Sequence, residues 1–152
     1  IFSFGVACRE LNSSQFQQQV EPLSRHLEDS LNRLPGVQIN GGASPRVCNT
    51  VNFTLKDVHG EGLVAALDLA GFCVSAGSAC AAGAVEPSHV LRAMGLSKDD
   101  ARSSLRVSLS SSNTLDEVQQ FVEALKKIQS RFSPHTHDTN DAETGCTQKW
   151  SK

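Results

Sequence analysis

Two short stretches of strict alternation constrain this chain more than anything else in it. Between Cys48 and Leu55, Val51, Phe53 and Leu55 fall to one side while Asn52 and Thr54 fall to the other. Between Ser104 and Leu109, Leu105, Val107 and Leu109 alternate with Arg106 and Ser108 in the same way. Successive side chains of a strand point to opposite faces, so each stretch reads as a strand with one buried and one polar face. Val37 to Asn40 and Phe72 to Ser75 read as two shorter strands.

Helical patterns separate them. Ile1 to Leu11 reads as the tail of a helix. In Ser13 to Leu34 the residues Val20, Leu23, Leu27, Leu31 and Leu34 recur at spacings of three and four, one apolar face of an amphipathic helix. Pro22 should kink this helix or open a new one, and Pro35-Gly36 should stop it. Gly41 to Pro45 is a turn. Asp57 to Gly60 leads into a helix from Glu61 to Leu69, with His59 as a loop or cap residue and Glu61 favouring the positive end of the helix. Further helices are expected over Pro87–Met94, closed by Gly95, and over Lys98–Arg102, capped by Ser97. His89 and Arg92 share a face of the first of these and read as solvated. Thr114-Leu-Asp-Glu117 is a capping box ahead of a stripe of Leu115, Val118, Val122, Leu125 and Ile128. The sum is an α/β (α+β) domain over residues 1–132, a small mixed or antiparallel sheet covered on one face by helices. Residues 133–152 have no periodicity and read as a disordered tail. His135, His137, Asp138 and Cys146 in that tail are not preorganised to hold a metal.

Composition narrows the function. A net charge of −2 in 152 residues gives no basic surface for nucleic acid or anionic membrane. No apolar run is long enough to span a bilayer, and Ile1 to Ala7 lacks the basic leader of a signal peptide. The one methionine is Met94, so the chain reads as a piece of something longer. Five cysteines, an odd number with no C-x-x-C pair, argue against a disulfide framework and a zinc knuckle and for a reducing setting. Cys8, Cys48 and Cys73 sit in apolar patterns and are expected in the core.

The fourth cysteine differs. Cys80 lies in Val74-Ser-Ala-Gly-Ser-Ala-Cys-Ala-Ala-Gly-Ala-Val-Glu-Pro-Ser88, among residues too small to bury or pin a thiol. On a pliant loop it is either a space-filling turn residue or an exposed nucleophile, since the thiolate is the reactive form. Ser-x-Gly-Ser-Ala-Cys, followed six residues later by Glu-Pro-Ser-His-Val-Leu-Arg-Ala-Met-Gly, resembles the active-site loop and following helix of NifS/IscS-type cysteine desulfurases. The resemblance runs from Ile1 to about Ser130 and is tightest from Val74 to Leu109. It matches only the C-terminal part of such an enzyme.

The resemblance implies the C-terminal domain of a fold-type I enzyme dependent on pyridoxal 5'-phosphate. It implies that Cys80 is the catalytic nucleophile, taking sulfur from L-cysteine as a persulfide and leaving L-alanine. Arg106, in Ser-Leu-Arg-Val-Ser-Leu, matches the family arginine that clamps the substrate carboxylate. The sulfur would pass to an acceptor or scaffold protein for iron–sulfur cluster assembly or tRNA thiolation. The whole protein would be a cytoplasmic or mitochondrial homodimer, with no nucleic acid, membrane or metal. No lysine here stands in the family's Ser-x-His-Lys context, so the cofactor lysine belongs to the absent N-terminal part and this fragment alone should be inactive. After Cys80, Ala-Ala-Gly-Ala replaces the Thr and Ser residues of close relatives, which bears on acceptor preference. Selenocysteine lyase, or a non-catalytic sulfur-relay or docking module, are the alternatives.

Overall fold

The computed structural model describes residues 2–10, 12–76 and 87–132. Cys80 and the whole of the expected tail therefore lie outside the described residues. Four strands form one open sheet: β1 (Val37–Ile39), β2 (Thr50–Leu55), β3 (Ser75–Ala76) and β4 (Ser104–Ser108), in the order β1-β2-β4-β3. Every neighbouring pair is antiparallel, which resolves the mixed-or-antiparallel expectation. Val51 pairs with Val107 and Phe53 with Leu105, so the apolar sets of the two long strands share a face.

Helices cover that face. α2 (Ser13–Leu31) brings Val20, Leu27 and Leu31, α3 (Gly60–Leu69) brings Leu63 and Leu67, and α6 (Leu115–Phe132) brings Val118, Phe121, Val122, Leu125 and Ile128, all buried against Val51, Phe53, Leu55, Leu105 and Val107. Asn12 caps α2, its side chain accepting from the Gln15 N–H at 3.0 Å. The Gln129 amide of α6 donates to the Pro35 carbonyl at 2.6 Å, tying the last helix to the turn that ends α2. The capping box is formed: Thr114 N–H donates to Glu117 Oε2 at 2.8 Å, and Glu117 N–H to Thr114 Oγ1 at 3.2 Å. The short helices α4 (His89–Ala93) and α5 (Lys98–Arg102) precede β4. Among the described residues no helix is long and apolar enough to cross a membrane.

Several expectations are corrected. Pro22 lies inside an unbroken α2; the carbonyl it leaves without an intrahelical donor belongs to Gln18, an exposed residue that water can reach. Cys8 and Cys73 are exposed and Cys48 is only half-buried, so none of the three is a core residue. Cys8 rides on α1 (Phe2–Glu10), whose described side chains are all exposed. Cys73 falls in the link between α3 and β3, before the strand begins. The third strand starts at Ser75 rather than Phe72 because pairing with β4 begins there. Phe72 instead packs edge-on against Phe121, ring centres 5.6 Å apart. Leu115 opens α6 on the solvent side, and Phe121 takes the place expected for it in the buried stripe.

Candidate active site

The face of the sheet turned away from the helical core is polar. β2 and β4 pair Asn52 with Arg106, and β4 and β3 pair Arg106 with Ser75. On the other side, Asn40 donates its backbone N–H to the Asn52 carbonyl at 2.8 Å, just past the end of β1. Asn40, Asn52, Arg106 and Ser75 thus form one row across all four strands. Leu55 N–H bonds to Ser103 and Leu109 N–H to Asn49. Toward β4, the hydrogen-bonded pairs are therefore the odd positions of β2. Asn52 and Arg106 are a non-hydrogen-bonded pair, the kind whose opposed Cα atoms approach to about 4.5 Å. Arg106 is exposed. Among the described residues its guanidinium has neither an ion-pair nor a hydrogen-bond partner, and the three ion pairs found there are Arg25–Glu21, Arg46–Glu28 and Lys126–Glu123.

One end of this face is closed and hydrogen-bonded. Thr54 and Ser104, a directly paired couple, are each 1% exposed. The order of donors there can be read from its terminus. The Asp100 carbonyl can only accept, so the Ser104 hydroxyl donates to it at 2.7 Å. With its one hydrogen used, Ser104 Oγ accepts from Thr54 at 2.8 Å. Thr54 Oγ1, its hydrogen given to Ser104, in turn accepts from Asn40 Nδ2 at 3.0 Å, while Asn40 Oδ1 lies farther from it at 3.3 Å. The same Nδ2 donates to Asn52 Oδ1 at 2.7 Å and lies 3.3 Å from Ser104 Oγ. Among the described residues no buried side-chain nitrogen or oxygen lacks a partner, as a stable interior requires.

The expected substrate arginine thus stands on the open part of the polar face, as its strand parity requires. The expected nucleophile Cys80 lies outside the described residues; it is four residues along the chain from Ala76, the neighbour of Arg106's partner Ser75. His59 is the N-cap residue of α3 and makes no side-chain cap bond. Arg92 is exposed, and its guanidinium also donates to the Leu96 carbonyl at 2.6 Å, beyond the end of α4. Asn40 carried no functional reading in the sequence, because nothing in a three-residue strand announces which residue its end will face.

Among the described residues, an antiparallel sheet with helices on one face and an exposed Arg106 on the other defines an α+β domain. The model of the aminotransferase class-V family matches residues 5–121, and the chain belongs to that family. A cysteine desulfurase of Trichormus azollae is 37% identical over 118 residues, 78% of this chain and 29% of its own length. The cysteine desulfurase IscS of Clostridium botulinum is 43% identical over 98 residues, 63% of this chain and 25% of its own. The crystal structure of a NifS-like protein from Rickettsia africae superimposes with a TM-score of 0.68 at 32% identity, over 77% of this chain and 30% of that one. The chain spans under a third of the length of these relatives.

Class-V aminotransferases as a family depend on pyridoxal phosphate. The described residues do not by themselves fit that group. A lysine that binds it covalently needs an enclosed site that holds the ring and shields the amine. Lys56, Lys98, Lys126 and Lys127 are all exposed, and Lys126 is engaged with Glu123 at 2.6 Å.

Proposed function

We propose that the whole protein is a cysteine desulfurase and that this domain contributes its sulfur-accepting thiol, Cys80, and its carboxylate-binding arginine, Arg106. The observation that carries the reading is Arg106 itself. It is exposed at the centre of a polar sheet face, with no anionic partner among the described residues. A guanidinium meets a carboxylate through two parallel N–H bonds, so the position suits the α-carboxylate of L-cysteine.

Chain connectivity supports bringing Cys80 to the same place. Ala76 pairs with Leu105, next to Arg106. Four residues later, Cys80 can lie no farther than about 14 Å from Ala76, the reach of a fully extended chain. In the reaction, the Cys80 thiolate attacks the sulfur of L-cysteine. The substrate C–S bond breaks and a S–S bond forms. The electron pair of the broken bond stays on Cβ, which takes up a proton, and L-alanine leaves a persulfide on Cys80. That sulfur passes to an acceptor or iron–sulfur scaffold protein, or to tRNA thiolation. Pyridoxal phosphate is held by residues other than those described. The working protein is a homodimer in the cytoplasm, or in mitochondria if the source is eukaryotic, and residues 1–132 are its C-terminal small domain.

The test is to incubate the full-length protein with pyridoxal phosphate, L-cysteine and a thiol reductant that releases the persulfide sulfur as sulfide, and to measure alanine and sulfide together. Equal amounts of both are expected. A folded protein that makes neither overturns the proposal, and activity confined to L-selenocysteine assigns it to the selenocysteine lyases instead.

A further inference from the structure

We propose that Asn52 is a second substrate-binding residue: its Nδ2 donates to the same carboxylate that Arg106 binds. Asn40, Thr54 and Ser104 are positioning residues that hold the Asn52 amide with its donor free. The inference deepens the reading of Arg106 as a carboxylate site and rests on it.

The hydrogen-bond order is the argument. The chain of donors runs from Asn40 through Thr54 and Ser104 to the Asp100 carbonyl, which fixes Asn40 with its Nδ2 as donor. The group it meets at 2.7 Å must accept, so Asn52 turns Oδ1 toward Asn40. The other half of the Asn52 amide, with two N–H groups, has no partner among the described residues. It is also not sealed from solvent, since no fully buried side-chain nitrogen there lacks a partner. Asn52 is thus a prealigned donor, and it faces Arg106 in the closer kind of cross-strand pair.

The chemistry of the pair is selective. A carboxylate accepts about four hydrogen bonds, more than one guanidinium fork supplies. Arginine is long and rotamer-rich; asparagine is short and, here, already held by Asn40. An amide adds a donor without repelling the guanidinium, whereas an aspartate at position 52 would pair with Arg106 and block it. Burying a hydroxyl–amide network where apolar side chains could pack gains no stability by itself. Its effect is to set the direction of one donor.

The test uses the full-length enzyme. Asn52→Ala is expected to raise KM for L-cysteine about ten-fold with kcat changed less than about two-fold, the pattern of a lost contact made equally in ground and transition states. Thr54→Val keeps the shape of Thr54 and breaks the chain of donors. It should raise KM about three-fold alone and add nothing in the Asn52→Ala background, because coupled residues are not additive. An unchanged KM in Asn52→Ala, while Arg106→Ala raises it, overturns this inference alone; an unchanged KM in both overturns the carboxylate reading beneath it. A fall in kcat at constant KM, or a Thr54→Val effect that persists in the double variant, also overturns it. Should Asn52→Ala fail to fold, Thr54→Val decides, through its KM at unchanged kcat.

Discussion

Asn52 and Arg106 stand directly opposite one another on β2 and β4, on the face of the sheet that the helical core leaves uncovered. One is half-buried and held from behind by Asn40; the other is exposed, with no partner among the described residues. The pairing joins a fixed polar group to an exposed cation. The fixed group is anchored by a buried network ending on a backbone carbonyl, so its orientation is set before any ligand arrives.

Arg106→Ala should chiefly weaken substrate binding. Loss of a charge-assisted contact corresponds to roughly 1.5–3 kcal/mol, read as a rise in KM for L-cysteine with the melting temperature little changed, since the side chain is exposed. Arg106→Lys should recover only part of the affinity, because an ammonium is a point charge without the planar fork. Normal KM values in both variants would show that the arginine does not bind substrate.

Cys80→Ala should abolish sulfur transfer and leave the fold intact. After incubation with L-cysteine, mass spectrometry of the wild-type protein should find one extra sulfur on the peptide carrying Cys80, and none in the variant. Persulfide on Cys8, Cys48 or Cys73 in its place would reassign the acceptor.

Gly60→Ala should destabilise the protein although it replaces a helical glycine. A Cβ there would lie 2.6 Å from the Arg102 carbonyl oxygen and 3.3 Å from the Ala76 Cβ, so backbone must shift. Gly62→Ala, in the same helix, would meet only the Phe132 ring at 3.8 Å. It should gain up to about 1 kcal/mol from helix propensity. Thermal melts of the two variants should move in opposite directions; a shared rise would show that α3 does not seat so closely against the end of β4.

Stability should fall with acid partly through the helix caps. The Thr114 N–H, with help from Asn113, holds the Glu117 carboxyl below its usual value. Such a group stabilises the fold at pH above its unfolded pKa, and the effect is lost as pH falls through the lower folded value. Hydrogen bonding to Arg25 and to Lys126 lowers Glu21 and Glu123 in the same sense. High salt screens those two ion pairs more than a cap formed by neutral donors. Glu117→Gln should therefore flatten the melting-temperature profile below about pH 4.5 in high salt as well as low; an unchanged slope would rule the cap out as a contributor.

Much of this was legible in the residues alone. Alternation in Val51–Leu55 and Leu105–Leu109 gave the two central strands and the outward side of Arg106, because strand periodicity is a local property. The Thr114–Glu117 box and the Ser97 cap are equally local. Burial of the cysteines was not, since whether Cys8 or Cys73 meets the core depends on where α1 and the link before β3 run. The register of β1 was hidden for the same reason: three residues carry too little pattern to say that Asn40 will face Asn52. The donor order that gives Asn52 its free N–H groups depends on that long-range pairing and on the Asp100 carbonyl, neither of which a single stretch of sequence contains.

The sheet also acts as a partition. Hydrocarbon lies behind it and polar groups in front, and adjacent residues of one strand belong to different sides. An engineer could therefore randomise positions 75 and 108 in a combinatorial library, keeping Asn52 and Arg106, while the residues between them go on specifying the scaffold unaltered.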